Sequence, residues 1–220
     1  MTGLDTPSNS QDKLAITEPI PGVKPSDEFP AAHSGKVQMQ NPKIKFTYRD
    51  YLLLPEQDRR ELIEGDFHMA PAPNIRHQTI SLNLGLIVAK FVRDNGLGDV
   101  FLAPTDVVLD NLNVVQPDIL YISNERREII TENNISGAPD LVIEILSPST
   151  ASRDRELKLN LYARFGVREY WIVDPDENSV QVMNLGDEGY AAIKTYDSGD
   201  VESSALPGFR IAVDEIFAGH

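Results

Sequence analysis

The 220-residue chain predicts an α/β fold around one core, and three features carry that prediction. Four runs rich in Val and Ile (DVFLA, DVVLD, VVQPDILYIS and DLVIEIL) have strand composition and are separated by turn residues. Residues 75–95 bring His77, Ile80, Leu84, Ile87, Val88 and Phe91 round at helical spacing. Between Ser147 and Asp174 a strand end, a capped helix and another strand follow in the order of a βαβ crossover.

Residues 1–43 hold six of the fifteen prolines, with many Ser, Asn and Gly and no apolar periodicity, the composition of an extended arm. The folded domain is expected over 44–220. Thr47 is placed to cap a short helix through Leu54 that Pro55 ends, and RELIEGDFHMAP has the pattern of two short strands turning at Gly65. The long helix runs from about Ile75 to Asn95, and Gly96 closes it. Ser147–Pro148–Ser149–Thr150 stops the DLVIEIL strand and supplies an N-cap for a helix through Phe165, after which Gly166 is the C-cap and EYWIVD returns as a strand. VQVMNL, YAAIKTY and FRIAV are short β-like segments expected to edge or flank the sheet.

Composition narrows the function. No cysteine is present, which excludes disulfide staples, thiolate zinc sites and cysteine nucleophiles and fits a reducing cytoplasm. The N-terminus lacks the basic and apolar regions of a secretory leader, and no apolar run approaches the ~20 residues that span a bilayer, so neither secretion nor membrane insertion is expected. Four lysines against five acids leave the arm at −1, so −13 of the total −14 falls on residues 44–220. Such a charge repels polyanions, and a nucleic-acid partner then needs a local cause. Walker-type glycine loops, G-x-S-x-G, H-E-x-x-H and zinc-finger spacings are all missing.

Two carboxylates break the apolar pattern. In DLVIEIL a period of two groups Val142, Glu144 and Leu146 on one face, and in VVQPDILYI it groups Val114, Gln116, Asp118, Leu120 and Ile122, with Pro117 marking a bulge or an edge. Two ionised groups among apolar neighbours repel unless a cation lies between them, and a hard divalent cation answers this economically. Taken singly, each could instead emerge at a strand end or pair with an arginine. Lys158 comes level with Glu144 on the helix that runs back over the sheet. Asp154, Lys158 and Tyr162 recur there at i, i+4 and i+8, a spacing that also allows a plain Asp154–Lys158 surface pair.

QPD at 116–118, PDLVIEILSPST at 139–150 and D-x-x-x-K-x-x-x-Y at Asp154–Lys158–Tyr162 resemble the PD-(D/E)XK restriction-endonuclease-like superfamily, most closely its Uma-two branch. ELIEG at 61–65, His77 and REYWIVDP at 168–175 extend the resemblance from about Phe46 to Leu185. It implies a mixed β-sheet flanked by helices and a Mg2+-dependent endonuclease of DNA, with Mn2+ as a possible substitute. It also implies a metal held by Asp118 and Glu144, and a helical carboxylate or its equivalent that maps to Glu61, with Glu64 as its rival. The lysine of the superfamily pattern, two residues after Glu144, is replaced by Leu146, so either Lys158 has migrated into that role or the site is impaired.

In such chemistry the metal activates a water and offsets charge on the scissile phosphate while a lysine orients the nucleophile. His77 and Tyr162 are the expected substrate contacts, although a lone histidine on an apolar helix face is more often a core residue. Arg153, Arg155, Arg164 and Arg168 could supply a local basic patch, and a homodimer is expected from the need to cut two strands. Lys158→Met is expected to remove activity and leave folding nearly intact. The alternative is an interaction module that kept the fold without catalysis; a carboxylate-pair glycosidase lacks its aromatic platforms, since only one tryptophan is present.

Overall fold

In the computed structural model the described residues are 44–55, 60–69, 72–147 and 154–219; the arm expected over 1–43 lies outside them, as do the Ser-Pro-Ser-Thr cap from Pro148 onward and Arg153. Thr47 starts α1 (Tyr48–Tyr51), where its backbone N–H and hydroxyl both donate to the Asp50 carboxylate. The helix is only four residues long, and turns replace the expected continuation to Leu54. Strands β1 (Arg60–Ile63) and β2 (Asp66–Met69) form the predicted hairpin. The long helix α2 (Ile75–Asp94) is capped by Asn74, whose side chain accepts from the His77 N–H. Among the described residues no helix is long and apolar enough to cross a membrane.

The main sheet has six strands in the order β11-β10-β9-β8-β6-β3. They are β3 (Gly98–Leu102), β6 (Ile119–Ser123), β8 (Leu141–Ile145), β9 (Glu169–Asp174), β10 (Ser179–Gly186) and β11 (Gly189–Tyr196). β8 and β9 run parallel and the other neighbours antiparallel, so the sheet is mixed. Between β8 and β9 a π-helical turn over Asp154–Lys158 leads into α3 (Leu159–Phe165), which Gly166 closes at a φ of 83°. This is the crossover expected from the sequence. A smaller sheet, in the order β2-β1-β5-β4-β7, contains β4 (Val107–Asp110), β5 (Asn113–Val115) and β7 (Ile135–Ser136). β12 (Asp200–Glu202), β13 (Arg210–Ala212) and α4 (Val213–Ile216) complete the chain.

Alternation along the main strands sends their side chains into two cores. Leu141, Ile143 and Ile145 join Ile80, Leu84 and Val88 of α2 and the C-terminal Phe209, Ile211 and Ile216 on one face. On the other, Val142 and Leu146 join Ile63, Val107 and Val115 of the small sheet and Leu161 and Tyr162 of α3. Glu144 belongs by alternation to this second core, between the sheets and beside α3.

The VVQPDILYIS run is not one strand. Its first half is β5 of the small sheet and its second half is β6 of the main sheet, so Gln116, Pro117 and Asp118 form the passage between them. Pro117 has no N–H to give to a ladder, which is why the strand breaks there.

Candidate active site

Four separated segments meet in the second core. On β1 the period of two turns Glu61 to the same side as Ile63, and on β8 it turns Glu144 to the side of Val142 and Leu146. The Lys158 ammonium lies 2.8 Å from Glu61 Oε1 and 2.8 Å from Glu144 Oε1, so one cation bridges two carboxylates. All three residues are buried, with exposures of 3%, 2% and 4% for Lys158, Glu61 and Glu144. Ions this far from water persist only when paired and hydrogen-bonded, and this pairing supplies the reason. Glu61 therefore reaches the site from a strand rather than from a helix.

Tyr162, one helical turn beyond Lys158, donates its hydroxyl to Glu144 Oε1 at 2.7 Å. Burial first and the Glu144 charge second push that hydroxyl well above its ordinary pKa, so it stays a donor. Its ring is fully buried, against Tyr170. The sequence expectation for Tyr162 is a substrate contact; in the structure its hydroxyl faces Glu144.

Asp118 has different partners. Its Oδ2 accepts the Ile145 N–H at 2.8 Å and lies 3.3 Å from His77 Nε2. β6 and β8 align Ile119 with Ile143, so one further step in that register sets Asp118 opposite Glu144. His77 is buried in the first turn of α2, and what it touches here is the Asp118 carboxylate.

The donors suit a hard cation, because the oxygens of Glu61 and Glu144 already surround an ammonium. Among the described residues, however, no three of His, Cys, Asp and Glu converge to hold a metal ion. In the expected set of Asp118, Glu144 and Glu61, Lys158 lies between the two glutamates and Asp118 lies against His77. Glu64, the rival of Glu61, sits at a turn with a φ of 52° and pairs with Arg164 at 2.9 Å on the surface. Leu146 packs in the second core, where a lysine would need a partner of its own.

The expected basic patch is neutralised arginine by arginine. Arg155 pairs with Asp174 at 2.6 Å, Arg164 with Glu64, and Arg168 with Asp140 at 3.2 Å. In a domain with this excess of acid each described guanidinium of the group has a carboxylate within reach. Sequence reasoning also passed over Gln116 as a site residue, although its backbone N–H donates to Glu61 Oε1 at 3.0 Å. The available signal was a polar residue inside an apolar run, directly before Pro117–Asp118.

A mixed sheet whose crossover helix lays a lysine against strand carboxylates defines a restriction-endonuclease-like fold. The chain belongs to the Uma2 family, described as "Putative restriction endonuclease", whose profile matches residues 48–214. It is similar to an uncharacterized protein of Synechocystis sp., with 26% identity over 184 residues that cover 81% of this chain and 94% of that protein. Its fold is similar to a crystal structure from Anabaena variabilis described as a putative nuclease belonging to DUF820, with a TM-score of 0.67 and 23% identity, covering 79% of this chain and 98% of that one.

Proposed function

We propose that the protein is a Mg2+-dependent endonuclease acting on DNA, with Mn2+ able to substitute, and that Glu61, Asp118, Glu144 and Lys158 form its catalytic site. The observation that carries this reading is the buried Lys158 ammonium seated between Glu61 and Glu144. Asp118 and Glu144, brought opposite each other by the register of β6 and β8, would hold the metal, with Glu61 beside them. A divalent ion bound there supplies charge compensation at the phosphate and a water of lowered pKa. Lys158, at the end of the π-helical turn that leads into α3, would orient that water, which would give the site an ammonium although position 146 carries leucine. Tyr162 would fix the Glu144 carboxylate, His77 would fix Asp118, and the apolar walls of the second core keep bulk water away from Glu144.

The domain proposed over 44–220 carries this site, and a homodimer would present two copies of it to a duplex. The test uses the full chain with plasmid and single-stranded DNA in Mg2+ or Mn2+, alongside metal calorimetry and light scattering. Cleavage that disappears in Asp118→Asn and Glu144→Gln is expected. Neither metal heat nor cleavage in either ion would overturn the reading in favour of an interaction module, which the paired arginines and Leu146 favour.

A further inference from the structure

Behind Glu61 lies a set of polar groups that the proposed chemistry does not use. The Gln116 side-chain amide donates to Asp106 Oδ1 at 2.8 Å and to the Tyr51 hydroxyl at 3.2 Å. Tyr51 in turn donates to the same Asp106 oxygen at 2.7 Å. The three residues come from α1, from the segment before β4 and from the passage between the sheets, so they close a triangle across elements far apart in sequence. Tyr51 is largely buried, and its hydroxyl pKa is raised by burial first and by Asp106 second, which keeps it a donor to that carboxylate.

The passage itself has few restraints of its own. Gln116, Pro117 and Asp118 belong to neither sheet, so no strand ladder fixes the aim of the Gln116 N–H, whereas the Asp118 side chain is also held by the Ile145 N–H and by His77. The Asp118 carbonyl accepts from the Ala103 N–H at 3.0 Å at one end, and the Gln116 side chain is held by Asp106 and Tyr51 at the other. Between these anchors the Gln116 N–H reaches Glu61 Oε1, the same oxygen that faces Lys158. We infer that Tyr51, Asp106 and Gln116 are positioning residues: they clamp the Gln116–Asp118 passage so that its backbone aims Glu61 at Lys158 and sets Asp118 beside β8. The metal-affinity arm of the test below rests on the proposed nuclease reading; the arm on Lys158 does not.

The two arms separate those readings. The first follows hydrogen exchange at the Lys158 ammonium by nitrogen-15 NMR in the full chain without metal, with melting curves as a control for folding. Tyr51→Phe, Gln116→Ala and Asp106→Ala should speed that exchange about ten-fold, the scale of one lost hydrogen bond's restraint. Asp106→Asn, which keeps an acceptor at the Oδ1 position, should restore the wild-type rate. Tyr51→Phe is the mildest change and decides the matter if Asp106→Ala fails to fold. Unchanged exchange in the folded variants, or equal loss in Asp106→Asn and Asp106→Ala, overturns the clamp. The second arm measures Mn2+ affinity, which should fall several-fold in Tyr51→Phe at a temperature where its melting curve shows the variant fully folded. A wild type that gives no Mn2+ heat counts against the nuclease reading, and the exchange measurement still decides the clamp.

Discussion

Replacing Lys158 by methionine tests the energetics of the cluster most directly. The ammonium is 3% exposed and makes two contacts of 2.8 Å, to carboxylates that are themselves 2% and 4% exposed. Methionine fills similar volume but takes the bridging cation away from both buried glutamates. Removing one partner of a buried ion pair costs about 3–5 kcal/mol, and two stranded acids place Lys158→Met at the upper end of that range. A domain of this size gains only about 5–15 kcal/mol from folding, and each kcal/mol moves its melting temperature by roughly 2–4 °C. The expected fall is therefore roughly 10–20 °C, so the sequence-based expectation of nearly intact folding is replaced by a marginal protein. Circular dichroism melts and urea titrations at neutral pH measure it. Adding Glu61→Gln to Lys158→Met should recover part of the loss, since one stranded charge is gone, and a double-mutant cycle then gives the coupling. A loss below about 1 kcal/mol, the range of exposed pairs, would refute the argument that a desolvated cluster holds this core.

Three other expectations use different parts of the molecule. Tyr162→Phe removes one donor from a buried charge and should cost about 1.5–3 kcal/mol in urea unfolding; a neutral result would mean that Glu144 is satisfied without it. Glu64→Gln breaks the exposed pair with Arg164 and should change stability by no more than about 1 kcal/mol, with DNA cleavage unaffected, whereas lost cleavage would return Glu64 to the site. Tyr51, Tyr162 and Tyr190 all have raised pKa values from burial, so the folded chain keeps these protons to higher pH than the unfolded chain does. Their contribution is complete below the ordinary tyrosine value of 10.0 and is lost as pH rises past it, so the urea midpoint should fall between about pH 8 and pH 11. A midpoint that holds steady over that interval would contradict the burial of these hydroxyls.

What the sequence could show followed from periodicity. Period two identified the face of Glu144, helical spacing gave α2 to within a residue of its end, and turn residues located the β8–α3–β9 crossover that carries Lys158. These are local signals, legible because each is repeated several times along one element. The break at Gln116–Pro117–Asp118 was harder, because apolar residues flank it on both sides and a change of sheet leaves no period of its own. The partners of Lys158 were only half legible: Glu144 lies on the preceding strand, but Glu61 is nearly a hundred positions away in the other sheet. Nor could spacing foresee that Tyr51 and Asp106 would meet Gln116, since hydrogen bonds between distant loops have no periodic trace. The arginines show the same limit, for their count suggested a basic patch while their pairing with Asp174, Glu64 and Asp140 depends on the fold.

The passage at Gln116–Asp118 also bears on how the protein is made. Glu61 emerges from the ribosome first and belongs to the smaller sheet; Glu144, Lys158 and Tyr162 follow much later and belong to the larger sheet and its crossover helix. Synthesis runs from the N-terminus, so for most of translation the early glutamate has no ammonium to meet and remains hydrated. The cluster closes only when the last contributor, Tyr162, has been added and the two sheets have docked. A chain that has been made past Tyr162 but whose sheets have not docked therefore contains each ingredient of the site and none of its geometry.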